Sequence, residues 1–97
     1  MILNNYETIY ILKPDVAENT NLALVNNYKS LIKHSGGQDI IIQHRGRRHL
    51  SYKIMHYYDG IYVQMNYSGN GHLVRKLERQ MQINDSIMRY ITIKTNI

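Results

Sequence analysis

The sequence predicts an α+β ferredoxin-like sandwich: a four-stranded antiparallel sheet with two helices on one face. Three observations carry this. Two segments space their apolar residues as helices do, and four have the β-branched, aromatic or alternating character of strands, in the order βαββαβ. Right-handed βα crossovers then put both helices on the same side of the sheet. Finally, 97 residues without an internal repeat, linker or low-complexity tract hold one core, so 1–97 reads as a single domain. In that topology the first and third strands are central, and the second and fourth are edges.

The elements follow in order. Tyr6-Glu7-Thr8-Ile9-Tyr10-Ile11-Leu12 is dense in β-formers and stops at Lys13-Pro14, because proline cannot extend a central ladder. Asp15 with Glu18 has the spacing of a capping box and opens the first helix. Leu24, Tyr28, Leu31 and Ile32 give that helix one apolar stripe, and Gly36-Gly37 closes it by supplying a left-handed residue. A second strand runs over 39–48 and on to 54. A turn region at Tyr57-Tyr58-Asp59-Gly60 leads to a third strand, in which 61, 63, 65 and 67 share one face. Asn70 caps a second helix with Leu73, Leu77 and Met81 at i, i+4 and i+8, and 86–94 forms the last strand.

Composition narrows the function. A chain this short buries about 60–65% of its unfolded surface, enough for one modest core. Cysteine is absent, which removes disulfides, thiolate catalysis and cysteine zinc sites together. The five histidines form no i, i+4 pair with a nearby carboxylate, so no metal or other cofactor is expected. Asp15, Asp39, Asp59 and Asp85 stand at element boundaries, where capping or turns explain them. No nucleophile–base pair, Gly-rich phosphate loop or carboxylate pair is recognisable, so neither catalytic residues nor a small-molecule substrate is expected. Met1 leads straight into a strand-like segment rather than a signal peptide, and no apolar run nears the ~20 residues that span a bilayer. The abundance of Ile, Asn and Tyr fits an A/T-biased genome such as an organelle's.

The most telling stretch is His44-Arg45-Gly46-Arg47-Arg48-His49-Leu50-Ser51-Tyr52-Lys53-Ile54, which continues the β-forming run Ile40-Ile41-Ile42. Lysine and arginine outnumber aspartate and glutamate by 12 to 7, for a net charge of +5, which favours anionic partners. Charge on an edge strand also guards against aggregation. Three arginines in four positions exceed what that protection requires. Neighbouring strand residues face opposite ways, so Arg45 and Arg47 share a face and Arg48 does not, unless a bulge intervenes at Gly46.

Gly46-Arg47-Arg48-His49-Leu50-Ser51-Tyr52-x-Ile54 resembles the signature of bacterial-type small-subunit ribosomal protein six. The resemblance covers nearly the whole chain. Tyr6-Glu7 with Lys13-Pro14 resembles the family's opening strand. Leu77-Glu78-Arg79-x-Met81 and Asp85-x-x-Met88-Arg89-Tyr90 resemble its second helix and last strand. The resemblance implies a non-enzymatic role: binding the central domain of small-subunit rRNA jointly with small-subunit protein eighteen. Length and composition look most like plastid or cyanobacterial members, which makes a chloroplast ribosome the first expectation and a bacterial cytoplasm the alternative.

Under that reading the expected RNA contacts are Arg45, Arg47 and Arg48, with His44 and His49 as weaker neighbours. Guanidinium groups fork onto phosphates and stack on bases. Arg79 and Arg89 form a second expected group. Leu50 and Tyr52 make either an apolar patch for the protein partner or part of the core. Tyr6, Tyr10, Tyr62 and Tyr67 on the central strands serve either as core or as a stacking platform. The platform belongs to an alternative function, a free-standing single-strand RNA-recognition domain, but Gly60-Ile61-Tyr62-Val63-Gln64 lacks that family's third-strand pattern.

Overall fold

In the computed structural model, which describes residues 3–95, the chain forms β1 (Asn4–Leu12), α1 (Glu18–His34), β2 (Gln38–Ile54), β3 (Tyr57–Gly69), α2 (Gly71–Gln82) and β4 (Ile87–Lys94). Every strand pair is antiparallel and the sheet order is β2-β3-β1-β4. The predicted βαββαβ sandwich is therefore present, with β2 and β4 at the edges.

Period-two alternation divides the sheet into a helix-bearing face and an open one. Tyr10 and Leu12 of β1, with Val63, Met65 and Tyr67 of β3, point to the helices. There they meet Val25, Tyr28 and Ile32 of α1 and Leu73, Leu77 and Met81 of α2. Burying each of the larger apolar side chains contributes about 1.5–3 kcal/mol. Thr8 lies in the same layer, its hydroxyl 2.8 Å from those of both Tyr67 and Thr92. The open face carries Glu7, Ile9 and Ile11 opposite Asn66, Gln64 and Tyr62.

Asn70 caps α2 as predicted, its Oδ1 accepting the Leu73 N–H at 2.8 Å. Gly36 takes the left-handed conformation at φ +88°. The Gly36 and Gly37 N–H groups then bond back to Lys33 and Ile32, closing α1 with a Schellman motif.

Three local expectations are corrected. The residue at the N-cap of α1 is Ala17, which has no side chain to cap with; Asp15 lies in the preceding turn instead. Glu18 still favours the helix, as an acid in its first turn. The fully buried stripe of α1 is Val25, Tyr28 and Ile32, with Leu24 and Leu31 only flanking it. The β2–β3 turn is Met55-His56, at φ +49° and +72°, between paired Ile54 and Tyr57. Two positive φ values are what a two-residue hairpin requires. Asp59 and Gly60, expected in a turn, lie inside β3. Gly60 is needed there for a different reason: a Cβ would come within 2.3 Å of Ile11 Cγ2.

Candidate nucleic-acid interface

The basic segment occupies the edge strand β2, and a bulge decides where its arginines point. The β2–β3 register slips between His44 and Gly46, where Gly46 sits at φ +81°. Gly46 thus provides the bulge foreseen in the sequence. On its far side Arg47 pairs with Ile61 and Arg48 with Gly60. Ile61 packs on the core, so Arg47 belongs to the helix-bearing face and Arg48 to the open face. Arg45 joins Arg48 on the open face, donating from Nε and Nη2 to Gln64 Oε1 at 3.2 and 2.9 Å. The face-sharing pair is therefore Arg45 with Arg48, the arrangement that a bulge at Gly46 allows.

Gln64 relays this contact inward. Its Nε2 donates to Glu7 Oε1 at 2.5 Å and to Asn66 Oδ1 at 3.0 Å, so a carboxylate–amide ladder backs the Arg45 guanidinium. On the other face Arg47 donates from Nε and Nη2 to Asp59 Oδ2 at 3.2 and 3.0 Å. His49 Nδ1 is 2.8 Å from Asp59 Oδ1. Hydrogen bonds from His49 and then Arg47 hold the Asp59 carboxyl below its usual range. Arg47 and His49 remain largely exposed, at 63% and 81%, so the pairing orients them without hiding them.

The far end of the hairpin meets the opposite edge of the sheet. Tyr52 of β2 accepts a hydrogen bond from Arg89 of β4, whose guanidinium lies 5.4 Å from the tyrosine ring centroid. Two residues predicted for different partners are thus brought together. Leu50 is buried at 7% exposure, whereas Tyr52 is 59% exposed, so the apolar pair divides between support and surface. Arg89, Ile91 and Ile93 face Ile11, Ile9 and Glu7 across the ladder and share the open face. Ile91 and Ile93 leave about half their surface in solvent.

Arg79 and Arg89 do not form one group. Arg79 is on the solvent side of α2, with the sheet between it and the open face. The tyrosines also separate. Tyr10 and Tyr67 are buried in the core and Tyr6 packs against it, leaving Tyr62 as the open-face aromatic of the four. Sequence reasoning missed Gln64 and Asp59, the residues that aim Arg45 and Arg47. Gln64 lies in the expected third strand but its partner depends on register, and Asp59 falls in a turn expected over 57–60 that the structure places at 55–56.

Comparison with known proteins agrees with this architecture. The family model described as Ribosomal protein S6 matches residues 5–94. A relative from Gracilaria tenuistipitata var. liui, named small ribosomal subunit protein bS6c, is 57% identical over 94 residues, covering 97% of this chain and 91% of its own. One from Cyanothece sp., named small ribosomal subunit protein bS6, is 48% identical over 88 residues, covering 91% and 83%. Among solved structures, 30S ribosomal protein S6 from Thermotoga maritima superposes with a TM-score of 0.89 at 24% identity, covering 96% of this chain and 88% of that one, and it shares the fold. The relatives are structural proteins of translation rather than enzymes. The chain belongs to the ribosomal protein S6 family, a constituent of the small ribosomal subunit.

Proposed function

We propose that this chain binds the central domain of small-subunit rRNA jointly with small-subunit protein eighteen, in a plastid ribosome. The observation that carries the reading is the placement of Arg45 and Arg48 on one face of an edge hairpin, with Gln64 fixing the first of them. Arg89 lies on the same face from the other edge, so three guanidinium groups border the open sheet. Beside Arg89 on β4, Ile91 and Ile93 expose apolar surface that RNA phosphates do not cover and a protein does. RNA on the arginines and a protein on the isoleucines is a division of labour that favours joint binding. Arg47 adds a cation and His49 an imidazole from the other side of the same hairpin, and Tyr52 presents its ring beside Arg89. Relatives named bS6c support the plastid, and cyanobacterial relatives keep a bacterial cytoplasm as the alternative.

A free-standing RNA-recognition sheet receives less support. Its stacking platform needs aromatics on the open face, and Tyr10 and Tyr67 face the core.

The test is the salt dependence of central-domain RNA binding in the presence of protein eighteen. Arg45→Gln with Arg48→Gln is expected to flatten the log–log slope by about two, close to one unit per phosphate contact. An unchanged slope would place the RNA on another surface.

A further inference from the structure

α2 presents three cations and a histidine on its solvent side. His72, Arg75, Lys76 and Arg79 recur at i, i+3, i+4 and i+7, all are exposed, and together they line one shallow groove. The opposite side of the helix, Leu73, Leu77 and Met81, is wholly buried. Among the described residues no carboxylate pairs with any of the four. Glu78, the one acid on α2, is half-buried on the side of Tyr67 and makes no ion pair among the described residues. A solvated helix face usually alternates charge so that i, i+4 pairs support it, and its first turn favours acids. α2 has no acid in its first turn and carries Arg75, Lys76 and Arg79 along this side. The helix's own stability accounts for Arg79, in the last turn, but not for Arg75 and Lys76.

We infer that this face of α2 is a second docking surface for the phosphate backbone of RNA, occupied while the hairpin face holds its own RNA. The inference rests on the rRNA-binding reading above. Arg75 and Arg79 stand one turn apart, about 6 Å along the axis, with Lys76 beside them. Their guanidinium groups fork onto phosphate oxygens, and Lys76 adds a point charge. A lipid surface is the poorer partner, because the apolar side of α2 is spent in the core and leaves nothing to insert. The sheet lies between α2 and the arginines of the open face. The protein therefore sits between two RNA segments rather than on one.

Two measurements test this. In the first, the triple variant Arg75→Gln, Lys76→Gln, Arg79→Gln is compared with Arg45→Gln, Arg48→Gln on central-domain RNA with protein eighteen, from about 50 to about 200 mM salt. Both variants are expected to flatten the slope, the triple by about two to three and independently of the double. If the triple variant binds like the unsubstituted chain while the double is weakened, the stripe is only solvated surface and the rRNA reading stands. If the unsubstituted chain does not bind the RNA at all, the rRNA reading fails and this inference with it. Loss of binding to phosphatidylserine vesicles in the triple variant, with RNA binding intact, would assign the stripe to a membrane and overturn the inference.

In the second, the chain's lack of cysteine lets His72→Cys or Arg48→Cys carry a single tethered hydroxyl-radical source in assembled subunits. Cleavage of two different RNA segments is expected. Cleavage from position 48 but none from position 72 would overturn the inference.

Discussion

Gln64 Oε1 accepts two hydrogen bonds from Arg45, at 3.2 and 2.9 Å, and so holds an edge-strand guanidinium on the open face of the sheet. A free arginine loses rotamer entropy when it binds, whereas Arg45 is already in place. Gln64→Leu is therefore expected to leave the fold intact and weaken RNA binding by about 1 kcal/mol, roughly fivefold. Fluorescence titration with central-domain RNA checks this, and circular dichroism checks the fold.

Gly46 and Gly60 are indispensable for different reasons. At Gly46 nothing lies within 4 Å of an added Cβ, but φ is +81°, so Gly46→Ala meets backbone strain of about 1–2 kcal/mol. Relief by closing the bulge would move Arg45 relative to Arg48, so the RNA salt slope should change as well. At Gly60 the backbone is ordinary and the space is filled by Ile11. Gly60→Ala is expected to lose about 1–3 kcal/mol in urea unfolding through crowding.

The Asp59 carboxylate restrains Arg47 and His49 on the helix-bearing side of the hairpin. Its carboxyl is held below the ordinary 3.8, so its contribution is present above that value and is lost as pH falls through the lowered one. Asp59→Asn should abolish this acid limb in unfolding midpoints followed from about pH 7 to about pH 3. The same variant removes the negative charge that faces Arg47. It should therefore steepen the salt dependence of non-specific RNA binding by about one unit.

Tyr10 and Tyr28 meet edge-to-face at 5.7 Å in the core, and both hydroxyls are buried with no hydrogen-bond partner among the described residues. Burial pushes Tyr28 up to about 12 and raises Tyr10 further. A raised value means that the neutral form is the folded one. That stability is complete below the ordinary 10.0 and is lost as pH climbs through about 12. Tyr10→Phe with Tyr28→Phe removes this alkaline loss. It is also expected to raise stability at neutral pH by about 1–3 kcal/mol, since two unsatisfied hydroxyls disappear. Urea unfolding at neutral and alkaline pH measures both effects.

The fold was legible because its strongest signals are local and repeated. Leu73, Leu77 and Met81 mark one side of α2, and positions 61 to 67 of β3 alternate without interruption. Gly46 was legible as a bulge because only a bulge lets clustered arginines change faces. The β2–β3 turn was not legible, since Met55-His56 contains neither glycine nor asparagine, while Asp59-Gly60 carries turn chemistry without making the turn. Partners across the sheet were hidden for a related reason. That Asp59 meets His49 and Gln64 meets Arg45 depends on register, which follows from the turn and the bulge together. The α2 stripe was visible at i, i+3, i+4 and i+7, but only Arg79 of it was read as functional.

The central claim is joint recognition, and the most direct measurement is the affinity for a small-subunit central-domain RNA fragment with and without protein eighteen. Weak binding alone and much tighter binding with the partner is the predicted result, lost when Arg45 and Arg48 are replaced by glutamine. Equally tight binding without the partner would contradict joint recognition and make this chain an independent RNA binder.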